Sequence, residues 1–158
     1  MGMPPLFFVA ETHIPAPPQD VYAFHLRPDA LQLLIPPFEH TRVVRPPTGL
    51  DVGTEVELRT RIAPGLWMTI IARHTAHEPN RYFEDEMVRG PFARWRHRHK
   101  FMARAGGTLL RDEVEYAPPL GLLGRLADPW FIRPRLRRMF AWRHEVTKRE
   151  VLAAMASR

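Results

Sequence analysis

The chain has 158 residues, 45% hydrophobic and 25% charged, with 17 prolines, no cysteine and a formal net charge of +6. Such a length and balance fit one globular domain, residues 1–158, with enough apolar material for a core. The lack of cysteine excludes disulfides, thiolate metal sites and cysteine nucleophiles, and no apolar run approaches the roughly 18 residues that cross a bilayer.

The first strand is expected over 6–14, where Phe7, Val9, Glu11 and His13 alternate with Leu6, Phe8, Ala10, Thr12 and Ile14. Pro15, Pro17 and Pro18 stop it. Pro18-Gln19-Asp20 opens a short helix through Val21, Tyr22, Phe24 and His25, since proline suits a first turn whose N–H needs no partner. Asp29 opens a second short helix over 30–35, which Pro36-Pro37 ends. Six strands follow, over 38–45, 54–62, 67–78, 82–89, 94–105 and 108–117. Pro46-Pro47-Thr48-Gly49, Pro64-Gly65, Pro79-Asn80, Gly90-Pro91 and Gly106-Gly107 separate them at hairpin spacing. A helical turn over 122–127 precedes Pro129 and Pro134, which read as interruptions. A long helix then spans about 135–155. Ile132, Leu136, Met139, Phe140, Arg143, Val146 and Thr147 share one of its faces at three-and-four spacing. The fold class is α+β: a curved antiparallel sheet wrapped on a long C-terminal helix, with two short helices after the first strand. A sheet closed by one helix leaves room for a pocket between them.

The most informative stretch is 94–101. Arg94, Arg96, Arg98 and Lys100 alternate with Trp95, His97, His99 and Phe101. Successive strand side chains point to opposite faces. One face therefore carries four cations that belong in water, and the other carries two imidazoles between two aromatics. An ordinary half-buried strand has aliphatic residues at those middle positions, so this face reads as the lining of a cavity.

The chain resembles the START-like (SRPBCC) superfamily of helix-grip proteins, in particular its polyketide cyclase/dehydrase and coenzyme Q-binding-protein branch. The likeness rests on Ile14-Pro15-Ala16-Pro17 leading to Val21-Tyr22-Ala23-Phe24, on Gly90-Pro91-Phe92, and on Trp95 through Phe101. Thr108 followed by Asp112-Glu113-Val114-Glu115-Tyr116, then Pro119-Leu120-Gly121, and Phe140-Ala141-Trp142-Arg143-His144 complete it. The resemblance covers nearly the whole chain and implies a hydrophobic ligand held between sheet and long helix.

His97 and His99 lead the candidates. They can hydrogen-bond polar groups of an apolar ligand or exchange protons near their ordinary pKa of about 6.5; the plain alternative is that carboxylates satisfy them structurally. Asp85 shares a face with Phe83 and Met87. Asp112 shares one with Val114 and Tyr116, while Arg111, Glu113 and Glu115 point away. A buried carboxylate needs a partner, so Asp112 or Asp85 is expected to pair with His97, His99 or Arg143. His97-x-His99 offers two metal nitrogens and Asp85 or Asp112 an oxygen, but no third or fourth ligand stands at a recognised spacing, so neither metal nor cofactor is assigned. Trp67, Trp95, Phe101, Met139 and Phe140 are expected as apolar walls, with core packing as their alternative. Trp130 and Phe131, between prolines and beside basic residues, can gate the pocket or touch a membrane together with the basic helix.

The leading expectation is a carrier of a hydrophobic small molecule such as a lipid, a quinone or a polyketide-like compound. One alternative is a cyclase or dehydratase with His97 or His99 as acid/base and Tyr116 or Arg143 opposite an enolate. Another is a membrane-surface or protein-interaction module. Nucleic acid is not expected, because the aromatics alternate away from the basic face instead of sharing it. The chain start lacks the order of a signal peptide, and Gly2 lacks the hydroxyl residue of a myristoylation motif, so a cytoplasmic location is expected.

Overall fold

The computed structural model describes residues 3–158. The chain runs β1 (Leu6–Ile14), α1 (Pro18–His25), α2 (Ala30–Leu34), β2 (Thr41–Arg45), β3 (Glu55–Ala63) and β4 (Leu66–Glu78). It continues with β5 (Tyr82–Arg89), β6 (Arg94–Arg104), β7 (Gly107–Ala117), α3 (Gly121–Ala127) and α4 (Ile132–Ala156). The seven strands form one antiparallel sheet in the order β1-β7-β6-β5-β4-β3-β2. Strands β2 to β7 are consecutive hairpins. β1 closes the other edge by pairing along β7 from Leu6↔Tyr116 to Ile14↔Thr108. Turning into β7 brings the backbone close to the end of β1, and a Cβ at Gly107 would lie 2.1 Å from the Ile14 carbonyl oxygen. Only glycine permits that approach.

Helix α4 lies across the concave face because its apolar stripe has no other surface to cover. Leu136 and Phe140 pack on Phe8, Val114 and Tyr116. Further along, Val146 and Val151 pack with Ile14, Val21, Tyr22, Phe24, Phe101 and Leu110. These are two apolar clusters, one toward each end of α4. Between Val114 and Leu110 on β7, and between Phe140 and Val146 on α4, stand Asp112 and His144, both buried. The core thus has a polar belt across its middle.

Several boundaries differ from the sequence reading. Pro134 does not interrupt the last helix, which begins at Ile132. The proline occupies its third position, inside the turn whose N–H groups have no intrahelical partner. The backbone N–H groups of Ile132 and Arg133 instead donate to the Asp128 carbonyl at 3.2 and 3.0 Å. β2 begins at Thr41, since Glu39 N–H donates back to the Pro36 carbonyl at 3.0 Å in a turn. β4 is bulged twice against β5, once between His74 and Ala76. That extra residue lets His74 and His77 reach the same face despite their odd spacing. Among the described residues no helix is long and apolar enough to cross a membrane.

Candidate functional site

Two rows of side chains cross the concave face. Paired positions run Phe8, Val114, His97, Asp85, His74 in one row and Ala10, Asp112, His99, Phe83 in the next. The alternation read at 94–101 therefore places both imidazoles inward, next to carboxylates of both neighbouring strands.

Asp112 is the hub. His97 Nε2 lies 2.7 Å and His99 Nδ1 2.8 Å from its Oδ1, and His144 Nε2 reaches its Oδ2 from α4 at 2.6 Å. Burial pushes the Asp112 carboxyl up. The charge of His99 and the hydrogen bonds from His144, His97 and His99 outweigh burial and hold it well below the usual carboxylate range. The carboxylate thus pins helix to sheet.

Asp85 sits on the far side of the two imidazoles. Its Oδ2 is 3.5 Å from His99 Nε2 and 3.9 Å from His97 Nδ1. Burial pushes Asp85 up as well, but the hydrogen bond and charge of His99, with the charges of His97 and His74, bring it below its ordinary value. The imidazoles respond in opposite ways. Burial and the neighbouring His99 lower His97, whereas at His99 the charge of Asp112 and the bonds to both carboxylates override burial and raise it. His25, which donates from Nδ1 to the Val21 carbonyl at 2.9 Å, is pushed down to about 4 by burial and then by His99. It stands among the rings of Phe24, Phe83, His99 and Phe101.

Among the described residues, two buried side-chain polar atoms have no partner: His74 Nδ1 and Arg143 Nε. Arg143 lies over the Phe140 ring at 5.5 Å and feels the charges of Asp112 and Asp85. Burial lowers its basicity.

The remaining sequence candidates scatter. Trp95 packs on Phe92 at 4.8 Å and on Tyr116 at 6.3 Å, at the edge of the polar belt. Phe140 meets His97 edge-on at 5.1 Å, with Met139 beside it. Phe101 belongs to the other apolar cluster, against Tyr22. Tyr116 points away from the imidazoles: its hydroxyl donates to Asp128 Oδ1 at 2.7 Å and ties β7 to the α3–α4 junction. Trp67 lies apart too, in an open cleft of about 350 Å³ with Ile35, Pro36 and His40, under the Arg42 guanidinium at 4.5 Å. Sequence reasoning misses His144. Its signal is the spacing Leu136, Phe140, His144, which sets it on the buried stripe. It misses His74 because a bulge decides that residue's face.

The α3–α4 segment exposes a run of large apolar side chains: Leu120, Leu122, Leu123, Leu126, Trp130 and Phe131, each at least 60% exposed. Leu120 holds a left-handed backbone, φ 62°, and a Cβ at Gly124 would lie 1.9 Å from the Pro119 carbonyl oxygen. The short helix is thereby clamped back on its own entry with its leucines outward.

A seven-stranded antiparallel sheet gripping a long C-terminal helix, with two short helices after the first strand, defines the helix-grip (START-like) class. The chain belongs to the family described as polyketide cyclase / dehydrase and lipid transport, whose model matches residues 14–144. It is thus a ligand-binding or cyclase-type protein of that family. No curated protein sequence matches it. TTHA0849 from Thermus thermophilus is similar in structure, with 20% identity and a TM-score of 0.70 over 94% of this chain and 99% of that one. CV1439 from Chromobacterium violaceum has 15% identity and a TM-score of 0.70 over 92% and 96%. The di-domain ARO/CYC StfQ of the steffimycin biosynthetic pathway has 15% identity and a TM-score of 0.76 over 97% of this chain and 52% of its own.

Proposed function

We propose that the protein binds and carries a hydrophobic small molecule whose polar end is an acidic or carbonyl oxygen. The observation that carries this reading is Arg143. A guanidinium Nε buried with no partner, on the apolar stripe of α4, is costly unless something accepts its hydrogen bond. A ligand oxygen between α4 and the sheet supplies that acceptor. The guanidinium lies over Phe140, whose apolar cluster includes Met139 and Trp95 and whose ring meets His97 edge-on.

Native mass spectrometry of gently purified, untagged protein, followed by solvent extraction, tests this. The expected result is a co-purifying apolar molecule with an acidic or carbonyl group, lost in Arg143→Met at unchanged thermal stability. Protein that is empty, and that also fails to take up a fluorescent fatty acid or a naphthoquinone, would overturn it.

Two observations favour further readings. Burial lowers the basicity of His97 and its Nε2 donates to a buried carboxylate, the arrangement of an oriented base; turnover of a model polyketide, abolished in His97→Gln with binding kept, would mark a cyclase-type enzyme. The exposed apolar run lies among Arg125, Arg133, Arg137 and Arg138, which is the composition of a surface that seats on an anionic bilayer. Such a surface gives an apolar cargo a path that avoids water. Sedimentation with phosphatidylglycerol/phosphatidylcholine vesicles should decline in the double variant Trp130→Ser, Phe131→Ser and at high salt. Binding indifferent to both changes would remove the membrane reading.

A further inference from the structure

We propose that Asp85, His97 and His99 form a binding site for one divalent first-row transition-metal ion of the zinc class, with Asp112 as the outer carboxylate that aims both imidazoles. This inference does not depend on the identity of any organic ligand.

Each imidazole has two ring nitrogens; Asp112 Oδ1 takes an N–H from His97 Nε2 at 2.7 Å and lies 2.8 Å from His99 Nδ1. A neutral imidazole that donates from one nitrogen presents a lone pair at the other. The opposite nitrogens, His97 Nδ1 and His99 Nε2, both face Asp85 Oδ2. Three potential ligand atoms therefore converge within 4.8 Å of one another. Three electron-rich atoms this close need a proton or a metal ion between them.

Distance separates a metal from a direct hydrogen bond. The gaps from Asp85 Oδ2 are 3.5 and 3.9 Å, too long for good N–H···O bonds. Ligands at the usual 2.0–2.1 Å from a tetrahedral zinc stand about 3.4 Å apart, so small side-chain shifts close the set. A carboxylate behind each ligating imidazole is what metal sites ordinarily use to fix ring orientation and raise basicity. Here one carboxylate does this for both rings.

His74 gives a second, independent sign. It stands directly across from Asp85 on β4, 4% exposed, and its Nδ1 has no partner. It feels the charges of Asp85 and His99, so it belongs to the same neighbourhood. Its unpartnered nitrogen is a candidate for a fourth position, reached by a side-chain rearrangement. Two or three imidazoles and a carboxylate, without thiolate, suit Zn²⁺, Co²⁺ or Fe²⁺ rather than Ca²⁺ or Mg²⁺. Arg143 opposes a cation here, but the two carboxylates offset it.

The test uses the full-length, untagged protein and the metal alone. After chelator treatment and dialysis, Zn²⁺ is titrated in competition with a chromophoric chelator, and Co²⁺ is followed by its visible absorption. One equivalent is expected, with the intense bands of a four- or five-coordinate site. Asp85→Asn and His99→Gln should each weaken binding at least 100-fold, and Asp112→Asn 10–100-fold. His13→Ala, on the exposed face of β1, should leave it unchanged. Circular dichroism monitors folding of each variant. Should a variant fail to fold, X-ray absorption of the wild-type zinc protein decides: two or three imidazoles plus oxygen support the site. The proposal is overturned by no stoichiometric binding, by binding that survives in folded Asp85→Asn and His99→Gln, or by a six-oxygen shell. Ligand uptake measured on the metal-free protein reports separately on the carrier reading.

Discussion

Strands β6 and β7 carry ion pairs on both faces, and the two faces show how little distance alone says about an ion pair. On the convex face Arg94 meets Glu115 at 2.8 Å and Lys100 meets Glu113 at 2.9 Å, with the Arg94 side chain 55% exposed. On the concave face His97 and His99 meet Asp112 at 2.7 and 2.8 Å, with the carboxylate 4% exposed. The residues alternate along the same two strands and the separations are nearly equal. Water reaches the Arg94, Lys100 and Glu113 ends of the first set, up to 55% exposed, and screens it, so little free energy changes when such a cation leaves. The second set was stripped of water when α4 closed over the sheet, and each member now depends on the others. The convex pairs are tolerant decoration. The concave ones decide whether helix and sheet stay together.

The largest expected effect follows directly. Asp112→Ala leaves three imidazoles around an empty centre and should cost about 3–5 kcal/mol in urea denaturation, the range for breaking a buried pair. A loss below about 1 kcal/mol, typical of an exposed pair, would erase the distinction between the faces.

Acid should expose the same asymmetry. The folded value of His25 is about 4, against an ordinary 6.5, so the unfolded chain binds the extra proton between those values. Its stabilisation is present above pH 6.5 and fades as pH falls toward 4. His97 and His74 act in the same direction, being lowered too. Asp112 adds a further loss only at lower pH, because its stabilisation persists above the ordinary carboxylate range and vanishes as pH drops through its depressed folded value. His99 runs the other way: its raised value gives stability that is complete below 6.5 and is lost as pH climbs through the folded value. Denaturation midpoints measured from pH 4 to 9 should therefore fall on the acid side before free carboxylates titrate. His25→Phe should flatten that fall. A profile unchanged by the substitution would show that the acid loss comes from other groups.

Glu84 sharpens the comparison because it breaks the simple division. It points to the convex face yet is only 6% exposed, held by Arg98 at 2.7 Å and by the Thr75 hydroxyl at 3.0 Å. Arg98→Ala should cost an intermediate amount, about 1–3 kcal/mol, since a shielded carboxylate loses its cation but keeps one donor. The smallest effect is expected from Arg94→Ala, at most about 1 kcal/mol, because Arg94 is 55% exposed and Glu115 retains Arg96. If thermal denaturation ranks Arg94→Ala above Arg98→Ala, exposure is not what separates these pairs.

Much of the architecture is legible in the amino-acid sequence. The period-two runs place all seven strands within a few residues, and the alternation at 94–101 puts His97 and His99 on the same inward face as Asp112. The three-and-four stripe places the long helix and its buried face. Those features are local: pleat and helical pitch dictate which side chains share a face, whatever lies opposite. The resemblance of the chain supplies the class of fold, which the tertiary arrangement bears out.

What a side chain meets across the core is a different kind of fact. Tyr116 is expected among the polar contacts of the pocket, but its hydroxyl is taken by Asp128, twelve residues on. Trp67 is expected as a pocket wall and stands in a separate cleft at the other end of the sheet order. His144 becomes the third partner of Asp112 only because α4 crosses β7 at that height. A bulge with no signature of its own turns His74 inward opposite Asp85. Periodicity assigns faces along one element. The meeting of His144 with Asp112, and of two imidazoles with Asp85, depends on the crossing of helix over sheet and on strand register, which the packing of the whole apolar core determines.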